Sequence, residues 1–179
     1  MKRFKRLIKG IAAASIMVSI LVVASCSNSE CLDNKNSLPL AGFYSSERVP
    51  QKISIDSISI LGLGAPGDSI LHDSVRNLSQ SYLPFRIDQG STTYIIRYLS
   101  GLMGVFRMAD TITFNYDILP WFVSAGCGVI YDYKMTSIET THYAIDSVTC
   151  PNGEITNANI ENLRIYFKVS EEEGGEEYP

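Results

Sequence analysis

Two histidines, four cysteines and one tryptophan hold most of the chemical options of this 179-residue chain. His72 and His142 could each serve as a base or a metal ligand, but no second ligand stands at a metal-binding spacing near either, and surface roles are expected for both. Serine is abundant, yet no Gly-X-Ser-X-Gly elbow occurs. Gly62, Gly64 and Gly67 lack the Lys-Ser/Thr and helix of a phosphate loop and read as a strand-connecting turn. Asp68 and Asp73 are the nearest approach to an acidic cluster, short of the converging carboxylates that calcium requires. The expectation is a protein that is not an enzyme, with no catalytic set, cofactor or metal.

Two patterns remain. Trp121 and Phe122 follow Pro120 in what reads as a loop, where they would stack on a sugar ring or fold back to cap the core; the second reading is preferred. Asp followed by Ser or Thr and an aliphatic residue recurs at Asp56-Ser57-Ile58, Asp68-Ser69-Ile70, Asp73-Ser74-Val75, Asp110-Thr111-Ile112 and Asp146-Ser147-Val148. The triplet resembles the acceptor motif of protein O-glycosylation in Bacteroidetes, which implies glycans on Ser57, Ser69, Ser74, Thr111 and Ser147. An Asp-Ser step leading from a turn into a strand is the competing account.

The first ten residues carry five Lys/Arg and no acid, and residues 11–24 run apolar but for Ser15 and Ser19. That run is shorter than the ~18–20 residues of a spanning helix and suits a signal-peptide core. Val23-Ala24-Ser25-Cys26 then resembles the lipobox of bacterial lipoproteins, which implies a signal peptide over residues 1–25, acylation of Cys26 and attachment to a membrane through that lipid. Ten of the fifteen Lys/Arg and all nineteen Asp/Glu lie beyond residue 25, a balance of −9. Such a charge, with no basic cluster, argues against nucleic acid or anionic lipid as a ligand, so membrane attachment is expected to rest on acyl chains. With Cys26 acylated, Cys31, Cys127 and Cys150 remain, and an oxidising envelope permits any of three pairings.

Beyond residue 26 no long helical periodicity occurs, and short runs alternate between apolar and polar. Residues 111–117, 129–136 and 162–169 alternate most cleanly, and further strands are expected over 42–47, 52–63, 69–72, 83–87, 93–99 and 141–149. In the run 52–63, Ile53 and Ile55 are out of phase with Ile58 and Ile60, so a bulge is expected near Asp56-Ser57. Turns are expected at 62–67, Gln89-Gly90, Pro120 and Pro151-Asn152-Gly153, the last joining two paired strands. The pattern predicts an all-β protein, a single β-sandwich of immunoglobulin-like kind over residues 41–169. Residues 26–40 read as a lipidated tether, and residues 170–179, with five Glu, as a disordered tail.

Cys31, the Leu-Pro-Phe step at 83–85, the strand at 110–116, Val-Ser-Ala-Gly-Cys-Gly at 123–128 and the strand at 161–167 together resemble one family of Bacteroidetes lipoproteins, classed as a domain of unknown function. The resemblance implies a Cys31–Cys127 disulfide, leaves Cys150 unpaired, and supplies no activity. The expected function is a non-catalytic envelope lipoprotein on the periplasmic face of the outer membrane, a protein-interaction or structural module with an envelope protein as partner. A carbohydrate-binding module using Trp121 and Phe122 is the alternative.

Overall fold

In a β-strand successive side chains point to opposite faces, so a run with every second residue apolar buries one face and wets the other. Residues 110–116 do this: Asp110, Ile112, Phe114 and Tyr116 are buried, and Thr111, Thr113 and Asn115 are partly exposed. The computed structural model describes residues 37–64, 69–101, 104, 107–125 and 127–169. Ten strands account for most of them: β1 (Leu40–Ser45), β2 (Ile58–Leu63), β3 (Ile70–Val75), β4 (Gln80–Tyr82), β5 (Ser91–Tyr98), β6 (Ala109–Ser124), β7 (Gly128–Thr140), β8 (Ile145–Thr149), β9 (Glu154–Ile155) and β10 (Glu161–Phe167).

The strands form two packed sheets, ordered β4-β1-β10-β8 and β3-β2-β5-β6-β7-β9. Four plus six strands exceed the seven to nine of an immunoglobulin domain, so the sandwich is all-β as expected but larger. Neighbours pair antiparallel except β1 and β10, which run parallel at the centre of the smaller sheet. Their register slips between Leu40 and Ala41, and at the extra residue Asn162 the side-chain Oδ1 accepts the Leu40 N–H at 3.2 Å.

Side chains of both sheets make one core. Phe43, Leu163, Ile165 and Ile145 come from the smaller sheet, and Ile58, Ile60, Ile96, Ile112 and Phe114 from the larger. Burying each such side chain contributes roughly 1.5–3 kcal/mol. The crossing from β7 to β8, which carries the chain between the sheets, is held by the buried Asp110 carboxylate. It accepts the Thr141 Oγ1 hydroxyl at 2.7 Å, the Tyr98 hydroxyl at 2.7 Å and the N–H groups of Tyr143, Ala144 and Ile145 at 2.8, 2.8 and 3.0 Å.

Several expected elements are displaced. The run 52–63 does break at Asp56-Ser57, where Ser57 takes φ 54°, and the strand proper starts at Ile58. Residues 83–87 are irregular rather than a strand: Pro84 donates no hydrogen bond, its carbonyl accepts the Tyr94 hydroxyl, and the Arg86 carbonyl accepts the Tyr116 hydroxyl at 2.8 Å. Leu83 and Phe85 are buried nonetheless, Phe85 stacked on Tyr116 at 4.5 Å. The Pro151-Asn152-Gly153 turn forms, with Gly153 at φ 66°, but the strands beside it do not pair. β8 joins β10 in one sheet and β9 joins β7 in the other, so the turn carries the chain across the sandwich. At the N-terminal side the domain reaches back past residue 41, since Ser37 and Pro39 are already buried.

Candidate functional site

β6 outlasts its neighbours. β5 pairs with it only as far as Asn115, while β7 follows it to Ser124, leaving residues 118–124 and 128–132 as a two-stranded ribbon about 20 Å long. No turn occurs at Pro120, which lies inside β6 opposite Tyr131. A proline lacks the N–H that a second neighbour would need, and here no strand flanks β6 on that side. Trp121 and Phe122 therefore sit on a strand, not in a loop. The chain reverses between Ser124 and Gly128, with Gly128 at φ 78° and Ser124 Oγ accepting the Cys127 N–H at 3.1 Å.

Trp121 does not fold back into the core: it is 42% exposed, and Phe122 is 66% exposed. Paired residues share a face, so Phe122 and Val129 lie on one side of the ribbon, and Trp121 and Ile130 on the other. Leu119 and Val129 are exposed as well, whereas Ile130 is buried. Exposed apolar residues elsewhere, such as Val49 and Ile87, are scattered, but four gather here, and such a patch marks a contact surface. Asp132 joins the ribbon to the start of the domain. Its Oδ1 accepts the Ser37 hydroxyl at 2.6 Å, its Oδ2 accepts Trp121 Nε1–H at 3.1 Å, and the Ser37 N–H donates to the Tyr131 carbonyl at 3.4 Å. Ser37 and Asp132 were not singled out by the sequence; the signal available was the absence of any charged residue over 118–131.

His72 meets a serine. Its Nε2 is 2.9 Å from Ser81 Oγ, beside a groove of about 370 Å³ lined by Leu40, Leu71, Gln80 and Tyr82. The Ser81 hydroxyl donates to the Tyr82 carbonyl at 3.0 Å, which leaves Nε2 to donate to Ser81 rather than take its proton. Ser81 is buried, and among the described residues no acid bonds to His72. His142 is exposed beside Asp146 and Ser147 in a shallow depression, but the Ser147 hydroxyl donates to Asp146 at 3.1 Å. Among the described residues no three His, Cys, Asp or Glu side chains are grouped to hold a metal.

The candidate acceptor hydroxyls share a local geometry. Ser57, Ser74 and Ser147 each donate to the preceding aspartate at 3.0–3.1 Å, and Ser57 and Ser74 both take positive φ. Ser69 is exposed and Thr111 half-buried in the middle of the larger sheet. Cys26 and Cys31 lie outside the described residues. Cys150 is a free thiol, and Cys127 is not.

A family described as a family of unknown function (DUF6452) matches residues 57–167, more than half of the chain, and the chain belongs to it. The match takes in the ribbon, the Leu-Pro-Phe step and the strand at 161–167. Neither the curated proteins nor the solved structures yielded a match.

Proposed function

We propose that this family member is a non-catalytic, lipid-anchored envelope module, held at the outer membrane through acylated Cys26 and working by contact through the β6–β7 ribbon. The observation that supports the reading is the ribbon itself, a two-stranded extension whose Leu119 and Trp121 on one face and Phe122 and Val129 on the other are exposed and gain by being covered. The lipobox-like Val23-Ala24-Ser25-Cys26 supports the anchor, and the acidic balance beyond it leaves acyl chains rather than charge as the means of attachment. A Cys31–Cys127 bridge, part of the same proposal, would staple the lipidated end to the ribbon's turn. The periplasmic face is proposed because no acidic run directly follows Cys26, where Ser27-Asn28-Ser29 carry no charge before Glu30.

The test is metabolic labelling with palmitate together with fractionation of cells carrying the wild type or Cys26→Ala. Label on the wild type alone, in the outer-membrane fraction, is the expected result; an unlabelled wild type overturns the anchor. A second reading, carbohydrate binding, is favoured by the exposure of Trp121 and Phe122 on a strand. Glycan-array binding abolished by Trp121→Ala would promote it.

A further inference from the structure

We infer that the distal β6–β7 ribbon seats in the headgroup region of the membrane that holds the Cys26 lipid, so that the domain is attached at two points. This rests on the lipid-anchored reading above.

Three observations carry it. Residues 118–131 contain no charged side chain, and the ribbon's one carboxylate, Asp132 at its base, already accepts from Ser37 and Trp121, so seating the distal end against lipid leaves no ion unpaired. Exposed apolar groups occupy both faces of the ribbon, Leu119 and Trp121 on one and Phe122 and Val129 on the other. A protein partner docking on the ribbon would cover one face, whereas a lipid interface surrounds the tip and covers both. The third observation is the attachment of Ser37 to the ribbon. Ser37 is bonded to Asp132 and Tyr131 on the ribbon, and the eleven residues from Cys26 to Ser37 span at most about 36–40 Å. The acylated end is therefore held within one tether length of the ribbon's base.

The depth follows from the backbone. Beyond Tyr116, whose N–H donates to the Gly90 carbonyl at 2.9 Å, the outer edge of β6 has no strand partner among the described residues, and unpaired peptide groups are not tolerated in the hydrocarbon core. The ribbon therefore stops among the headgroups, the level at which tryptophan side chains gather.

Trp121 is the single tryptophan of the chain, so its fluorescence reports this site. Full-length acylated protein is reconstituted into phosphatidylethanolamine–phosphatidylglycerol vesicles, with and without lipids brominated near the carbonyl end of the chains, and the N-terminal peptide is weighed for acyl groups. Quenching of most of the Trp121 emission by the brominated lipid is the expected result. Phe122→Asp, at an exposed position, keeps the fold and reduces that quenching. Intact acylation with unquenched Trp121, or quenching unaltered by Phe122→Asp, overturns this inference alone; a missing acyl mass overturns the anchor as well. A photocrosslinker replacing Phe122 in cells should attach to lipid, and capture of a protein instead counts against the inference.

Discussion

Tyr98 donates its hydroxyl to the Asp110 carboxylate at 2.7 Å, and both residues are buried where the chain leaves the larger sheet for the smaller. With Thr141 Oγ1 and three N–H groups of residues 143–145, five donors meet one carboxylate. Asp110→Ala strands all of them, and removing one partner from a buried charged set costs about 3–5 kcal/mol. Tyr98→Phe loses a single bond and costs about 1–3 kcal/mol. Urea midpoints of the two variants should fall in that order, and an Asp110→Ala protein as stable as wild type would refute the clamp.

The same carboxylate sets a dependence on acidity. Burial opposes its ionisation, but the hydrogen bonds from Thr141, Tyr98, Ala144 and Tyr143 outweigh burial and hold the Asp110 acid below the usual carboxylate range. A folded value below the unfolded one means that the stabilisation is complete above the ordinary aspartate range near ~3.9. It is lost as pH falls through the lowered value. Thermal midpoints of the wild type should drop more steeply on acidification than those of Asp110→Asn, and parallel curves would sink the assignment.

Burial pushes the Cys150 thiol up, against the opposing pull of the Gly153 and Asn152 backbone. Less thiolate is present in the native protein than in the unfolded one at pH 8, and half-burial restricts access further. Modification by a disulfide reagent should therefore be slow in buffer and fast in denaturant. Equal rates in both would contradict the packing.

The ribbon and the core should separate in a stability measurement. Phe122→Asp alters a mostly exposed side chain and should change stability by no more than about 0.5 kcal/mol, while Trp121→Ala also removes the bond to Asp132 and should cost about 1–2 kcal/mol. Phe114→Ala, in the core, should cost about 3–5 kcal/mol. A large loss of stability in Phe122→Asp would mean that the ribbon's tip is structural rather than a contact surface.

Gly42 carries a smaller prediction. A methyl group there would collide with the Glu161 carboxylate, which accepts the Tyr44 hydroxyl at 2.7 Å and Arg164 Nε–H at 3.1 Å. The flexible Glu161 side chain can swing away, so Gly42→Ala should fold and lose about 1 kcal/mol, of the order of one net hydrogen bond. A cost near that of Phe114→Ala would show that Glu161 has no room to move.

Alternation made the strands readable, because period two is a local property: residues 111–116 and 162–167 lie in strands as their pattern indicates. What misled was chemistry with two outcomes. Pro120 marks a turn or an unflanked edge, and only the early end of β5 decides for the edge. Asn152-Gly153 turns the chain whether the next strand joins the same sheet or the opposite one, and the register of β9 with β7 decides that. Trp121 as a core cap was plausible from size alone, until the ribbon carried it away from the core. Asp110 gave no warning, since its donors stand up to thirty-five residues away and a strand-entry aspartate looks the same with or without them.

The parallel pairing of β1 with β10 joins residues made near the start of the domain to the last of the described strands. The four-stranded sheet therefore cannot close around its centre until residues 161–167 exist, a long wait that also slows closure through high contact order. During that interval β1 lacks its parallel neighbour, so the emerging chain stays open until residues 161–167 are added.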